Sequence, residues 1–223
     1  MLANKLIGLA RGAGDPYWAN VVALLHMDGA DASTTFTDVK GHTFTAAGNA
    51  QIDTAQSKFG GASGLFDGTG GYISTPSSAD FAYGTGDFTW ECWVRLAVTT
   101  GNQYIVEHGD NGGTVTYNGG LRYYNTTTST GSVLYTTVPP LVAGTWYHVA
   151  ITRQSGTTRM FIDGVLKASA ADAHNYGAQS LRFGAYGGGG YGLNSHIDEA
   201  RITKGVARYT ANFTPPAEQF LDY

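Results

Sequence analysis

The stretch Asp87–Leu96, DFTWECWVRL, decides how the chain is read. Phe88, Trp90, Cys92, Val94 and Leu96 fall on one side of a period of two. Thr89, Glu91, Trp93 and Arg95 fall on the other. Alternation over this length specifies a β-strand buried on its first face, because successive side chains point to opposite sides of a sheet. Cys92 then reads as a small core residue rather than a reactive thiol.

The neighbouring segments extend the same pattern. Thr145–Ala170 holds two hairpin signals, Ser155-Gly156 and Asp163-Gly164, each between apolar runs. Val21–Met27 reads as a first strand closed by Asp28-Gly29. SGLFDGTGGYISTP reads as two short strands broken at Asp67-Gly68. QYIVEHG, LRYYN, SVLYTTV and SLRFGAY supply further strands, and SHIDEARIT is the last long one. VARYTANFTPP closes the chain with one expected helical turn before Pro215-Pro216. Helical periodicity is not sustained anywhere, and no repeat of 20–50 residues is present. A dozen or more short strands predict an all-β fold, a sandwich of two antiparallel sheets.

Composition agrees. The 223 residues suffice for one large β domain with its own core. Charged residues make up 13% of the chain, about half the usual ~25%. Its 32 glycines suit many tight turns. The net charge of −4 and the scattered 13 lysines and arginines leave no basic run, which excludes nucleic acid as a partner. The single cysteine excludes an internal disulfide, so the chain can fold in a reducing compartment. The apolar patch Leu6–Ala10 is too short for a signal-peptide core, and nothing reaches transmembrane length, so no membrane partner is expected. Residues 1–17 are expected to form an N-terminal arm and 18–223 the sandwich.

Two acidic positions fall on apolar faces. In HIDEARI, Asp198 shares a parity with Ala200 and Ile202, which places it at the core. An isolated buried carboxylate is costly unless paired or bound to a cation. One reading is a structural Ca²⁺ held by Asp28 and Asp198 with backbone carbonyls. The other is that Asp198 accepts backbone N–H groups at the sheet's end and Asp28 sits in a turn. Glu199 and Arg201, two apart on the opposite face, are expected to pair.

Four of these pieces resemble one family. VVALLHMDGADASTTFTDVKG, FGGASGLFDGTGGYISTPSSADFAYGTGDFTWECWV, GTWYHVAITRQSGTTRMFIDGV and HIDEARITKGVARYTANFTPP are similar to the concanavalin A-like lectin/glucanase superfamily. More closely, they resemble laminin-G-like domains of bacteriophage virion and tail-associated proteins, from about Pro16 to Phe220. The resemblance implies a jelly roll with a concave and a convex sheet, frequent carbohydrate binding, and in some relatives calcium near the first and last strands.

Relatives that cleave β-glucans carry Glu-x-Asp-x-x-Glu on one strand, so that alternation aims the carboxylates into one cleft. Here WECWVRL has one acid and IDEARIT has adjacent acids on opposite faces, so a glycan hydrolase is rejected as the leading reading. Such an enzyme would need Glu91, Glu199, or a cross-strand pair such as Glu91 with Glu107. The six histidines form no zinc spacing, and no Gly-x-Ser-x-Gly elbow is present. GAYGGGGYG is followed by no helix, so it reads as a tight, mobile loop carrying Tyr186 and Tyr191, not as a phosphate cradle.

The expected function is therefore a non-enzymatic virion protein. The candidate ligand-binding residues are Tyr186, Tyr191 and Asn194, then Asp110, Asn111 and Tyr117, then Asn175 and Tyr176, with Trp93 expected on the concave sheet. Aromatic faces stack on sugars, while amides and carboxylates bond their hydroxyls. The alternative is a cement or adaptor protein that binds no sugar. The expected partners are other virion proteins (capsid, neck or tail), copies of itself, and cell-surface or environmental glycans. Its expected location is the virion, assembled in a bacterial cytoplasm.

Overall fold

The computed structural model describes residues 14–109, 112–117, 119–125, 132–136, 140–187 and 189–223. Among them run β1 (Val21–Leu25), β2 (Thr35–Thr37), β3 (Thr43–Ala47), β4 (Gln51–Asp53), β5 (Ser63–Asp67) and β6 (Tyr72–Ser74). Next come β7 (Phe88–Leu96), β8 (Gln103–Glu107), β9 (Gly113–Tyr117), β10 (Gly120–Tyr124) and β11 (Ser132–Thr136). The chain continues through β12 (Trp146–Gln154), β13 (Thr157–Ile162), β14 (Val165–Ala171), β15 (Arg182–Phe183) and β16 (Asn194–Lys204). The helical segments among the described residues are two single 3₁₀ turns, Trp18–Asn20 and Ala79–Phe81. No helix among them is long and apolar enough to cross a membrane.

The strands form two antiparallel sheets. The first runs β14-β13-β12-β7-β16-β5-β4, with β1 also paired to β16. The second runs β11-β10-β9-β8-β15-β6-β3-β2. The expected all-β sandwich is present. The alternation that predicted β7 decides its inner face: Phe88, Trp90, Cys92, Val94 and Leu96 all enter the main core. Facing them from the second sheet are Phe44, Ile73, Ile105, Leu121, Leu134 and Phe183. Burying each such side chain contributes about 1.5–3 kcal/mol.

Both two-residue hairpins form as the sequence indicates. Ser155-Gly156 joins β12 to β13 with φ +47° and +74°, and Asp163-Gly164 joins β13 to β14 with φ +48° and +72°. Two consecutive left-handed residues match the right-handed twist of the flanking strands. The strands β2, β3, β4 and β9 were not anticipated, and the helical turn expected within VARYTANFTPP does not form.

The last strand departs from uniform alternation. In β16, Asp198 lies opposite Trp93 and Arg201 opposite Glu91, so the two residues Glu199 and Ala200 oppose the single Cys92. This is a β-bulge, and Glu199 takes φ +49°. The bulge resets the parity. Ile197, Ala200 and Ile202 all face the core, whereas Asp198 and Arg201 share the outer face. Asp198 is therefore buried, but outside the core that Ala200 and Ile202 enter. The expected Glu199–Arg201 pair is replaced by separate partners for each residue.

Candidate functional site

The outer faces of the two sheets differ. In the first sheet, β7, β12 and β16 are buried almost continuously rather than alternately. Loop 54–62 and the C-terminal segment 205–223 cover that face. Trp93 sits there, 5% exposed, beneath the Lys58 ammonium at 3.9 Å and the Phe59 ring at 5.9 Å. It presents no open ring face for a ligand.

Beside it lies a buried ionic cluster. Glu91 Oε1 accepts hydrogen bonds from Arg201 Nε (3.0 Å) and Nη2 (2.8 Å). Glu91 Oε2 accepts from the Tyr209 hydroxyl (2.7 Å) and His148 Nε2 (3.1 Å). Burial alone would raise the Glu91 pKa, but Arg201, His148 and Arg208 hold it well below the carboxylate range. Asp15 accepts from Arg201 Nη1 (3.0 Å) and from Arg208 Nη1 (3.0 Å) and Nη2 (2.7 Å). Its backbone N–H donates to the Tyr223 carbonyl at 2.8 Å. The anchored part of the chain thus includes Asp15–Tyr17, which the sequence reading assigned to the arm; residues 1–13 of that arm lie outside the described residues.

Asp28 and Asp198 meet around loop 58–60. Asp198 Oδ2 accepts the backbone N–H groups of Lys58 (2.7 Å) and Phe59 (3.0 Å). Its Oδ1 is buried with no hydrogen-bond partner. Burial, with Glu199 and Asp28 nearby, pushes Asp198 up to about 7. The Asp28 carboxylate lies against Gly60, where a Cβ would collide with it, and accepts from Gln219 Nε2 at 2.8 Å. Glu199 is engaged separately, with His26 Nδ1 (2.8 Å) and the Phe220 N–H (2.8 Å). Among the described residues no three metal-ligating side chains gather. A hard cation here would rest on the orphaned Asp198 oxygen, Asp28 and backbone carbonyls, a donor set that suits Ca²⁺.

Among the described residues the outer face of the second sheet is the more open, with Tyr135 exposed and Tyr72, Tyr104, Arg122 and Arg182 half-buried, while Glu107 and Tyr124 on it are buried. Burial alternates along β2 and β6, with Phe36 and Ile73 turned inward. The outward positions carry Tyr72, Ser74, Tyr104, Arg122, Tyr135 and Arg182. Tyr104 on β8 is the centre of a tyrosine cluster. Its ring centroid lies 5.0 Å from Tyr186 and 6.1 Å from Tyr191, which are 6.2 Å from each other. Tyr191 is 58% exposed. Partial burial pushes the Tyr104 hydroxyl up to about 12, with Tyr124, Tyr186 and Glu107 adding to the effect. Glu107 pairs with Arg182 Nη1 and accepts the Gly187 N–H at 3.2 Å, tying the sheet to the loop.

The glycines of this loop serve packing. Tyr186 and Gly190 exchange backbone hydrogen bonds of 2.7 and 2.8 Å, and the Tyr104 N–H donates to the Tyr191 carbonyl at 3.0 Å. A Cβ on Gly192 would come within 2.6 Å of Gly70 N, and one on Gly70 within 2.5 Å of the Gly189 carbonyl oxygen. Gly70, Gly189 and Gly192 are where the two loop backbones touch, whereas a Cβ on Gly187 would meet nothing.

The other candidates do not join this cluster. Asn194 starts β16, with its side chain against Gly68 and its N–H donating to Gln103 Oε1 at 2.8 Å. Tyr176 is 1% exposed, and its hydroxyl bonds Asp172 (2.7 Å) and Tyr123 (2.8 Å) inside the core. Asn175 is exposed near Gly84, away from the tyrosines. Asp110 and Asn111 lie outside the described residues, as does the side chain of Tyr117. Sequence reasoning passed over Tyr104, Arg182 and Tyr72 because each sits within a short strand otherwise read as core. Glu107, weighed only as a cross-strand partner for Glu91, lies on the opposite outer face of the sandwich from it.

Two layered sheets, one face covered and the other open, define a lectin-like β-sandwich. The chain belongs to the Laminin_G_3 family of the concanavalin A-like lectin/glucanases superfamily, whose profile matches residues 67–208. No curated protein matches it. Among solved structures it is similar to domain 4 of AbnA, a GH43 extracellular arabinanase from Geobacillus stearothermophilus, in complex with arabinotriose. There the TM-score is 0.66 at 18% identity, covering 84% of this chain and 94% of that one. It is also similar to the binding domain of Paraclostridial Mosquitocidal Protein 1 (TM-score 0.64, 15% identity, 85% of this chain, 50% of that). A structure of botulinum neurotoxin type C, whose cell entry depends on two ganglioside molecules, gives 0.62 at 12% identity, covering 85% and 49%. The chain thus spans about half the length of those two toxin structures. At these identities the likeness is one of fold.

Proposed function

We propose that the domain is a non-enzymatic glycan-binding module whose site is the cluster of Tyr104, Tyr186 and Tyr191. The single observation that carries this reading is that cluster, held on the outer face of the second sheet, beside the polar pair Glu107–Arg182. Aromatic rings supply stacking surface, and the flanking polar groups bond hydroxyls. Similar folds in an arabinanase domain bound to arabinotriose and in a ganglioside-dependent toxin support it. The carboxylates that a hydrolase would need are committed elsewhere: Glu91 to Arg201 and Tyr209, Glu107 to Arg182, and Glu199 to His26. Glycan-array screening tests the proposal. Tyr191→Ala, at an exposed position, should abolish binding with thermal unfolding unchanged, and Tyr104→Ala should abolish it in a protein that remains folded by circular dichroism; retained binding in both would refute the site.

Ca²⁺ at Asp28 and Asp198 belongs to the same proposal as a structural ion, supported by the orphaned Asp198 oxygen. The virion placement rests on the sequence resemblance to phage tail-associated domains. In that setting the arm would dock on capsid, neck or tail proteins, and copies of the chain would assemble on the particle. Deleting residues 1–13 should then abolish particle incorporation and spare glycan binding. Loss of incorporation with no glycan bound by the full chain would favour the cement-protein reading.

A further inference from the structure

We infer that the open face takes an extended internal stretch of a polysaccharide chain, laid across the strands, rather than a single terminal sugar. The inference rests on the reading of the tyrosine cluster as a sugar site and concerns what lies on either side of it.

Strand register lines up the positions of these strands in two parallel rows across the sheet. In one, Tyr104 pairs with Val115, Val115 with Arg122, and Arg122 with Tyr135. In the other, Ser74 pairs with Arg182, Arg182 with Glu107, Glu107 with Gly113, and Gly113 with Tyr124. The first row therefore carries rings at Tyr104 and Tyr135; the second carries Ser74 and Arg182 as polar groups, with Glu107 and Tyr124 buried behind them and bonded to Arg182 and Arg122. Tyr72, two residues before Ser74 on β6, extends the aromatic row in the other direction, with the Arg182 guanidinium 4.9 Å from its ring centroid. The Arg122 guanidinium lies 5.4 Å from the Tyr135 ring in the same manner.

From β6 to β11 there are five strand spacings, about 24 Å at ~4.8 Å each. A site for one terminal sugar needs only the central cluster, whose three rings all lie within 6.2 Å of one another. A band of rings with a parallel polar row is instead the complement of a chain whose units each present an apolar face and an edge of hydroxyls. The first sheet offers no competing band, because its outer face is covered along β7, β12 and β16.

The experiment is titration calorimetry of the full chain with arabino-, xylo- and cello-oligosaccharides, each from disaccharide to hexasaccharide, and with the parent polysaccharides. In the series that binds, affinity should rise about tenfold or more between disaccharide and hexasaccharide. Tyr72→Ala and Tyr135→Ala should each weaken the hexasaccharide about three- to tenfold and leave the disaccharide unchanged. Both positions are outward-facing, and unchanged thermal unfolding confirms that each variant folds. Equal affinity for disaccharide and hexasaccharide, with both variants like the parent, would overturn the extended-chain inference and leave the sugar site standing. No binding by any series or polysaccharide, with array screening also empty, would overturn the sugar site and this inference together.

Discussion

Replacing Glu91 with glutamine tests how the covered face is held. The carboxylate is fully buried and accepts four hydrogen bonds: two from Arg201, one from Tyr209 and one from His148. Glutamine keeps the shape but removes the charge, and its amide nitrogen cannot accept. The one remaining amide oxygen can accept from Arg201 or from Tyr209 and His148 but not from both sides, and Asp15 is left as the carboxylate bonded to Arg201. Removing one partner of a buried ion pair costs about 3–5 kcal/mol. For a domain of this size that lowers Tm by roughly 6–20 °C. Urea unfolding at pH 7 should show a lower midpoint with an unchanged m-value. The pH dependence supplies a second check. Glu91 has a depressed folded-state pKa, so its stabilisation is present above the ordinary carboxylate value of 4.5 and is lost as pH falls below it. The gap between parent and Glu91→Gln should therefore narrow below about pH 4.5, by ~1.4 kcal/mol per pH unit. A loss under 1 kcal/mol at pH 7, or a gap independent of pH, would refute the claim that this cluster clamps the C-terminal segment to the sheet.

Other consequences follow from particular contacts. Gly192→Ala should disrupt the contact with Gly70, cost about 1–3 kcal/mol, and weaken glycan binding through displaced Tyr186 and Tyr191; calorimetry and thermal unfolding together check it. Calcium at millimolar concentration should raise the Tm of the parent protein and leave Asp198→Asn unmoved; an equal shift in both would remove Asp198 from the cation site. Cys92 is fully buried, and burial pushes its thiol upward, so it should resist a thiol reagent in the native state and react fully in denaturant.

The fold was largely legible because its signals are local. Alternation in β7 places five residues in the core, and Asp163-Gly164 between two apolar runs signals a tight hairpin. The outer faces were less legible, because what covers a strand is set by segments distant in sequence. Trp93 looked outward by parity and does face outward, but Lys58 and Phe59 lie over it. The bulge at Glu199 carries no composition signature, so uniform parity misassigned Asp198. Tyr176 resembled a loop tyrosine because its partners Asp172 and Tyr123 make a polar contact inside the core. Tyr186 and Tyr191 were found from the glycines around them. Tyr104 was not, because a bulge at Ile105 turns it out of a strand that otherwise reads as buried.

The most direct measurement of the central claim is amide chemical-shift mapping by NMR during titration with the tightest-binding hexasaccharide. The account predicts shifts concentrated at Tyr72, Tyr104, Glu107, Arg122, Tyr135, Arg182 and Tyr191, all on the open sheet and its loop. Shifts centred on Lys58, Trp93 and the C-terminal segment, with the open sheet unmoved, would contradict it.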